Sequence, residues 1–180
     1  AALLAAIAAA GPHVPIARLS AAIEAAIASH GFRPMRNLCG HHLGRWTVHC
    51  PPPVPNFADG TTAVLAPGAV FAIEPFATSG SGIAAERGHA EVFRLREDPG
   101  DIRAIDARLR ETLIGRNGLP FSRRDLDSLP EQTVEEGLAS LLAQGALAAY
   151  PPLVELTGHP VAQAEHTLLV TDREVVVLTA

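Results

Sequence analysis

Glutamate residues stand in two apolar segments that otherwise have the composition of buried β-strands. Glu74 interrupts the run 69–76, which follows the turn sequence Pro67-Gly68. Glu165 stands at the start of a second such segment, 164–170. A buried carboxylate is costly unless a cation or hydrogen bonds compensate for its lost hydration. The sequence therefore predicts two strands whose acidic groups need partners, although each glutamate could also be a polar residue satisfied at a strand end.

Apolar residues at steps of three and four predict helices on both sides of the first strand. One helix has four apolar positions and ends near the sequence Ser29-His30-Gly31; the positions are Ile16, Leu19, Ile23 and Ile27. Asp101 is predicted to cap a second helix, which runs to about Gly115. Two further helical segments, 123–129 and 131–142, complete a compact helical insertion.

The remaining strands are predicted from β-branched and aromatic residues between turn signals. A strand over 90–95 is expected to pair as a hairpin with the run 69–76, and later strands are expected over 153–156, 164–170 and 175–178. Glycine, histidine and proline crowd the segment 35–57, which is predicted to be mostly loop with short strands. Helices and strands in this order predict an α+β fold.

Charge and composition exclude several classes of partner. The net charge of −5 over 180 residues leaves no basic face for nucleic acid or for an anionic membrane surface. Apolar runs such as 175–178 are far shorter than the ~20 residues that cross a bilayer. The two cysteines are interpreted as free thiols, so a soluble cytoplasmic protein is expected. The uniformly apolar segment 1–10, which begins without methionine, is expected to pack on partners elsewhere, as in a chain that begins in mid-structure.

Histidine and cysteine are concentrated in the string NLCGHHLGRWTVHC, residues 37–50. Three interpretations of this string are open. It could form a structural zinc site, although the spacing fits no common zinc-finger pattern; the ligands would be Cys39, His41, His49 and Cys50. Its histidines could instead bond to the loop backbone without any metal. In the third interpretation, one histidine joins Glu74 and Glu165 in a catalytic site for divalent cobalt, manganese, iron or zinc.

Several blocks of sequence resemble, in order, those of type II methionine aminopeptidases, most closely the archaeal ones. They are NLCGHHLGRWTVH with PPPVPN, FAIEPFATSGSG, LPFSRRDLDSL, AYPPL and AQAEHTLLV. The resemblance implies the C-terminal half of a pita-bread fold. It further implies a catalytic domain of residues 1–114 and 146–180, in which the N-terminal portion of the family's domain is missing, and a winged-helix-like insertion of residues 115–145.

The resemblance also implies roles for individual residues. His41, Glu74 and Glu165 match the family's metal ligands, and His49 matches the histidine that contacts the substrate and assists catalysis. Two positions match the lining of the methionine pocket, namely Val48 and Tyr150. The expected cofactor is a pair of divalent metal ions in the complete enzyme, and His42 is not an expected ligand.

The implied reaction is removal of the N-terminal methionine from nascent polypeptides, with the ribosome as a further candidate partner. Two aspartate ligands of the family have no counterpart in this sequence, so the missing N-terminal half is expected to be required and this chain alone is expected to be inactive. Cys39 also stands where a threonine or asparagine is expected. A non-catalytic binding protein on the same fold is the alternative from a different functional class.

Overall fold

The computed structural model describes residues 1–179 and shows helices together with antiparallel sheets. The helices are α1 (Ala2–Ala9), α2 (Ile16–Ser29), α3 (Ala107–Gly115) and α4 (Glu131–Ala143), with a 3-10 turn at Arg123–Leu126. The strands are β1 (Arg33–Pro34), β2 (Cys39–Gly44), β3 (Thr47–Pro55), β4 (Val70–Ile73), β5 (Phe76–Thr78), β6 (Ala84–Glu86), β7 (Val92–Leu95), β8 (Phe121–Ser122), β9 (Leu147–Tyr150), β10 (Leu153–Glu155), β11 (Val161–Gln163), β12 (His166–Val170) and β13 (Val175–Val177). This mixture confirms the predicted α+β class.

The chain forms two compact units. The first comprises residues 1–85 and the residues from 154 onwards, and the second comprises residues 86–153. These are units of packing, whereas the catalytic domain and the insertion predicted from the sequence are functional divisions, and their bounds stay a prediction. No helix among residues 1–179 combines the length and apolar character that crossing a lipid bilayer requires.

The first unit contains a five-stranded antiparallel sheet in the order β13-β12-β4-β2-β3 and a three-stranded sheet in the order β1-β5-β11. Helix α2 covers the core with the four apolar residues that the helical spacing predicted, and all four are buried; they are Ile16, Leu19, Ile23 and Ile27. They share a core with Phe71 of β4 and Leu168 of β12. This agreement confirms the predicted helix.

Helix α1 packs against α2 through Ala6, which is fully buried, whereas Leu4 is 68% exposed. Both helices contribute to an apolar cleft of about 260 Å³, together with Pro75 and residues of β5 and β11. Helix α1 therefore packs on α2 and β4 within the unit, so the expectation that its partners lie elsewhere is wrong for its buried face and stays a prediction for its exposed face.

The prediction that residues 35–57 are mostly loop is wrong. Strands β2 and β3 occupy most of this segment and pair with each other, with register shifts near His41 and His42. The prolines 51–53 concealed β3, because proline cannot donate to a ladder and is tolerated mainly in an edge strand. Strand β3 is such an edge, since only β2 pairs with it in the five-stranded sheet.

The predicted strand 69–76 is divided by Glu74 and Pro75 into β4 and β5, which belong to different sheets. The predicted hairpin with segment 90–95 is also wrong. Strand β4 pairs with β2 and β12, while β7 pairs with β8 and β9 in the other unit. Sequence proximity therefore misled the pairing, because the true partners of β4 lie about 30 and 95 residues away along the chain.

The second unit packs α3 and α4 on the sheet β8-β7-β9, around a core that includes Phe93, Leu109 and Leu138. Helix α3 begins later than predicted. Its N-cap is Asp106, whose Oδ1 accepts hydrogen bonds from the backbone N–H groups of Arg108 and Leu109. Asp101, the predicted cap, instead closes a turn with Arg103.

Glu155 is a buried carboxylate that the sequence analysis did not single out. Its oxygens accept hydrogen bonds from the backbone N–H and hydroxyl of Ser81, from both groups of Thr157 and from the backbone of His159. The hydrogen bonds from Ser81 and Thr157 lower the pKa of Glu155 to about 2. A side chain at Gly80 would not fit, since its Cβ would lie 2.5 Å from the Glu155 carboxyl carbon. This carboxylate therefore stabilises the loop structure as an anion.

Candidate metal centre

His41 lies on β2 between the two neighbours of that strand, opposite Pro53 of β3 and Ala72 of β4. The preceding residue, Gly40, allows close approach of β2 to β4. A Cβ there would lie 2.3 Å from the carbonyl oxygen of Ala72. The glycine before His41 is thus a steric requirement of the sheet that places the imidazole.

Glu74 is the first residue after β4 and lies beside His41. Its Oε1 is 3.3 Å from Nε2 of His41, and the two side chains are 14% and 10% exposed. Burial and the negative charge of Glu165 raise the pKa of Glu74 to about 7, while a hydrogen bond from Gln163 opposes the rise. The partner that the sequence predicted for Glu74 is therefore the imidazole of His41. This contact compensates only in part for the cost of burying the Glu74 charge.

Glu165 stands between β11 and β12 and is exposed, so the expectation that it is buried in a strand is wrong. Its Oε2 accepts a hydrogen bond of 3.2 Å from Nε2 of Gln163. Its charge nevertheless acts on Glu74. Gln163, which donates to the glutamate pair, was not singled out from the sequence, although it is the first polar residue of the block AQAEHT.

His49 of β3 lies against His41, with ring centroids 4.4 Å apart and ring planes at 71°. Burial and the neighbouring His41 lower the pKa of His49. Val48, the adjacent residue, is half-buried. Tyr150 belongs to the second unit, where its hydroxyl accepts a hydrogen bond of 3.1 Å from Nε of Arg94. The structure thus brings His41, His49 and Glu74 together within the first unit.

His42 has a structural environment. Its Nδ1 lies 2.7 Å from the carbonyl oxygen of Pro52, and its ring stacks on Phe71 at a centroid distance of 5.7 Å. His41 also has its Nδ1 3.2 Å from a backbone carbonyl oxygen, that of His42, so two histidines of the cluster bond to backbone, as the second interpretation of the string described. Cys39 and Cys50 are free, which confirms their interpretation as free thiols.

Among residues 1–179, no group of three or more His, Cys, Asp and Glu side chains is arranged to hold a metal ion. The proposed zinc ligands therefore do not converge within the described chain. The same holds for a complete set made of His41, Glu74 and Glu165. The pair His41–Glu74 is the part of the predicted centre that is in direct contact.

Comparison with known proteins decides the family. The model of metallopeptidase family M24 matches residues 1–172. The chain belongs to metallopeptidase family M24. A methionine aminopeptidase of Archaeoglobus fulgidus is 40% identical over 161 residues, and one of Thermococcus kodakarensis is 44% identical over 162 residues. These alignments cover 88% and 87% of this chain but 54% of each relative, so the M24 chain spans about half the length of these relatives.

Solved structures agree with the fold of the M24 chain. A methionine aminopeptidase from Thermotoga maritima superimposes with a TM-score of 0.58 at 23% identity, and one from Rickettsia prowazekii with 0.58 at 18%. Each covers 99% of this chain, while the chain covers 47% and 48% of theirs. Together with the family match, this confirms the predicted pita-bread fold.

Membership of a metallopeptidase family implies use of a divalent metal ion, and the residues present suit one. An imidazole nitrogen and carboxylate oxygens are ligands that several divalent metals accept. Burial and the negative charge of Glu165 raise the pKa of Glu74, and a bound cation would favour the ionised form of this half-buried carboxylate. The adjacent donors His41 and Glu74, with a second carboxylate whose charge acts on Glu74, fit part of a coordination sphere.

Proposed function

We propose that this chain supplies part of the active centre of a methionine aminopeptidase, which hydrolyses the peptide bond after an N-terminal methionine. The observation that carries the proposal is the contact between His41 and Glu74, 3.3 Å apart, within a chain of family M24. Relatives 40% and 44% identical are named methionine aminopeptidase. The substrates would be nascent polypeptides in the cytoplasm, and the ribosome is a candidate partner.

The metal ligands contributed by this chain would be His41, Glu74 and Glu165. When bound, two divalent ions such as cobalt, manganese, iron or zinc would supply an activated water molecule and polarise the scissile carbonyl. Glu165 would approach from the exposed side, where Gln163 orients its carboxylate. On the other side, the pairing of β2 with β4 ends at His41 and Ala72, which brings His41 near Glu74, the first residue after β4.

His49 would contact the substrate. Its lowered pKa favours the neutral imidazole, in which one ring nitrogen can donate a hydrogen bond to the peptide carbonyl without adding positive charge near the metal ions. Val48 and Tyr150 would contact the methionine side chain.

The remaining ligands would come from a segment that corresponds to the unmatched part of the relatives. The match leaves about half of each relative's length uncovered, and the described residues of this chain do not complete a metal site. We therefore expect weak metal binding and no rapid turnover by the 180 residues alone.

Calorimetric titration with Mn²⁺ tests the ligand assignment. Wild-type protein should bind the ion with micromolar to millimolar affinity, and Glu74→Gln should weaken that binding more than about tenfold, because an amide oxygen is a poorer ligand than a carboxylate. Glu111→Gln is the matched control, since Glu111 is exposed on α3 in the other unit. Equal affinity of wild-type protein and Glu74→Gln would contradict the assignment.

Hydrolysis of the peptide Met-Ala-Ser with added Co²⁺ or Mn²⁺ tests the need for further ligands. Robust turnover by residues 1–180 alone would contradict it. Absence of any Mn²⁺ binding by the wild-type chain would instead favour the non-catalytic binding protein on the same fold.

A further inference from the structure

Residues 37 and 38 lead into β2 and belong to no strand. Side-chain amides bond them to neighbouring segments. Asn37 Nδ2 donates to the carbonyl oxygen of Ala84 at 2.7 Å, and Asn37 Oδ1 accepts from the backbone N–H of Ala84 at 3.0 Å. These two bonds reproduce the donor and acceptor pattern that a strand residue presents to its neighbour. One side chain thus replaces a missing step of β-pairing.

A second amide holds the same segment from another direction. Asn56, at the end of β3, is fully buried and donates from Nδ2 to the carbonyl oxygen of Leu38 at 2.9 Å. The side chain of Asn37 therefore ties residue 37 to Ala84, and the side chain of Asn56 holds residue 38.

This arrangement lies where the sheet ends beside the candidate centre. The ladder between β2 and β4 includes Leu43, His42 and His41 and stops there, opposite Ala72. Glu74 is the first residue beyond β4. On this side of His41, β2 no longer pairs with β4 and is held on one side only, by β3 at Gly40 and Cys39. The segment that Asn37 holds adds a second restraint just before Cys39.

We propose that Asn37 is a positioning residue that holds the start of β2 so that His41 Nε2 stays within reach of Glu74. The proposal rests on the proposed role of His41 as a metal ligand. Partners that orient a ligand without touching the metal typically contribute 10–100-fold to metal affinity. Asn37 would do so through the backbone.

The amide of Asn37 is chemically required in this role, because it donates and accepts at once. In Asn37→Asp, the carboxylate keeps the acceptor for Ala84 N–H but faces the carbonyl oxygen of Ala84 without a proton to donate. In Asn37→Ala, both bonds are lost. Both variants should loosen the start of β2, including His41, while the sheet itself stays folded.

The position of His41 can be measured in metal-free protein by the NMR signal of its imidazole Cε1–H, assigned by comparison with His41→Gln. We expect a displaced His41 signal in Asn37→Asp and in Asn37→Ala. The matched control is Thr171→Val, which removes the hydroxyl bonds of the turn between β12 and β13 at the far end of the same sheet. The control should lower thermal stability without moving the His41 signal.

The second readout is the Kd for Mn²⁺, which should rise about 10–100-fold in the two Asn37 variants and stay within about twofold in Thr171→Val. An unchanged His41 signal in both folded Asn37 variants would overturn the proposal, as would an equal displacement in Thr171→Val. If wild-type protein binds no Mn²⁺, the proposed function fails, while the metal-free signal still decides the role of Asn37.

Discussion

Glu74 and Glu155 are two largely buried carboxylates of the same unit whose pKa values are shifted in opposite directions. Glu155 accepts hydrogen bonds from Ser81, Thr157 and His159, and the bonds from Ser81 and Thr157 lower its pKa to about 2. Glu74 has one imidazole beside it and a second carboxylate acting on it, and its pKa rises to about 7. Hydrogen bonds stabilise the negative charge of Glu155, whereas the surroundings of Glu74 disfavour its negative charge. Glu155 is therefore suited to a structural role, and Glu74 is suited to the role of a metal ligand.

The largest expected effect is that of Glu155→Gln, because the new amide NH₂ group would face N–H and O–H donors. We expect the Tm to fall by more than about 10 °C at pH 7. Glu174→Gln, an exposed position in the same unit, should change the Tm little. A Tm of Glu155→Gln within about 2 °C of wild type would break the comparison.

The pH dependence of the same pair sharpens this result. Because the pKa of folded Glu155 lies below its ordinary value of 4.5, its contribution is fully present above pH 4.5 and is lost as the pH falls towards 2. The difference in unfolding free energy between wild type and Glu155→Gln should therefore shrink across that interval, measured by urea denaturation.

A smaller effect of opposite sign is expected for Glu74→Gln in metal-free protein. The raised pKa means that folding disfavours the charged form, so the cost is fully present above pH 7 and fades as the pH falls to 4.5. At pH 8 with EDTA, we expect the variant to be more stable by about 2 kcal/mol, or roughly 5 °C in Tm. At pH 4 the two proteins should be equal, and a destabilised variant at pH 8 would show that Glu74 is a structural carboxylate like Glu155.

The smallest effect is expected for Gln163→Ala, which removes the amide that donates to the glutamate pair. The pKa of Glu74 should rise further, by roughly half a pH unit, because a hydrogen bond that favours its charged form is lost. An NMR titration of the Glu74 carboxyl carbon measures this change. Gln144→Ala, whose amide bonds only within α4 and its cap, is the control and should leave the titration unchanged.

Helix α2 and the family were predictable from the sequence because their signals are local. The apolar spacing of α2 and the blocks around His41, Glu74 and Glu165 can be recognised without knowing what lies opposite. Glu74 was also predictable as an electrostatic problem, since an acidic residue stands within an apolar run. The resemblance placed His41 and Glu74 in one site, and the two side chains are in contact, while their role as ligands stays a prediction.

Other features depended on partners far along the chain. The donors to Glu155 include Ser81, 74 residues earlier, so nothing near position 155 announced them. Glu155 also stands within an apolar sequence, Leu153 to Leu156, so the cost of a buried carboxylate was visible there as it was at Glu74. Glu165 shows the opposite failure, because its apolar neighbours suggested burial while the strand begins only at His166.

The prolines of β3 have a consequence for how this protein behaves in concentrated solution. An open sheet edge with regular N–H donors is a template for strands of other molecules. Residues 51–53 lie in the middle of β3, the edge strand of the five-stranded sheet, and none of the three carries a backbone N–H. We therefore expect this edge to resist intermolecular sheet growth. The prolines that made β3 difficult to predict from the sequence would thus also reduce aggregation through this strand, which pairs with the strand of His41.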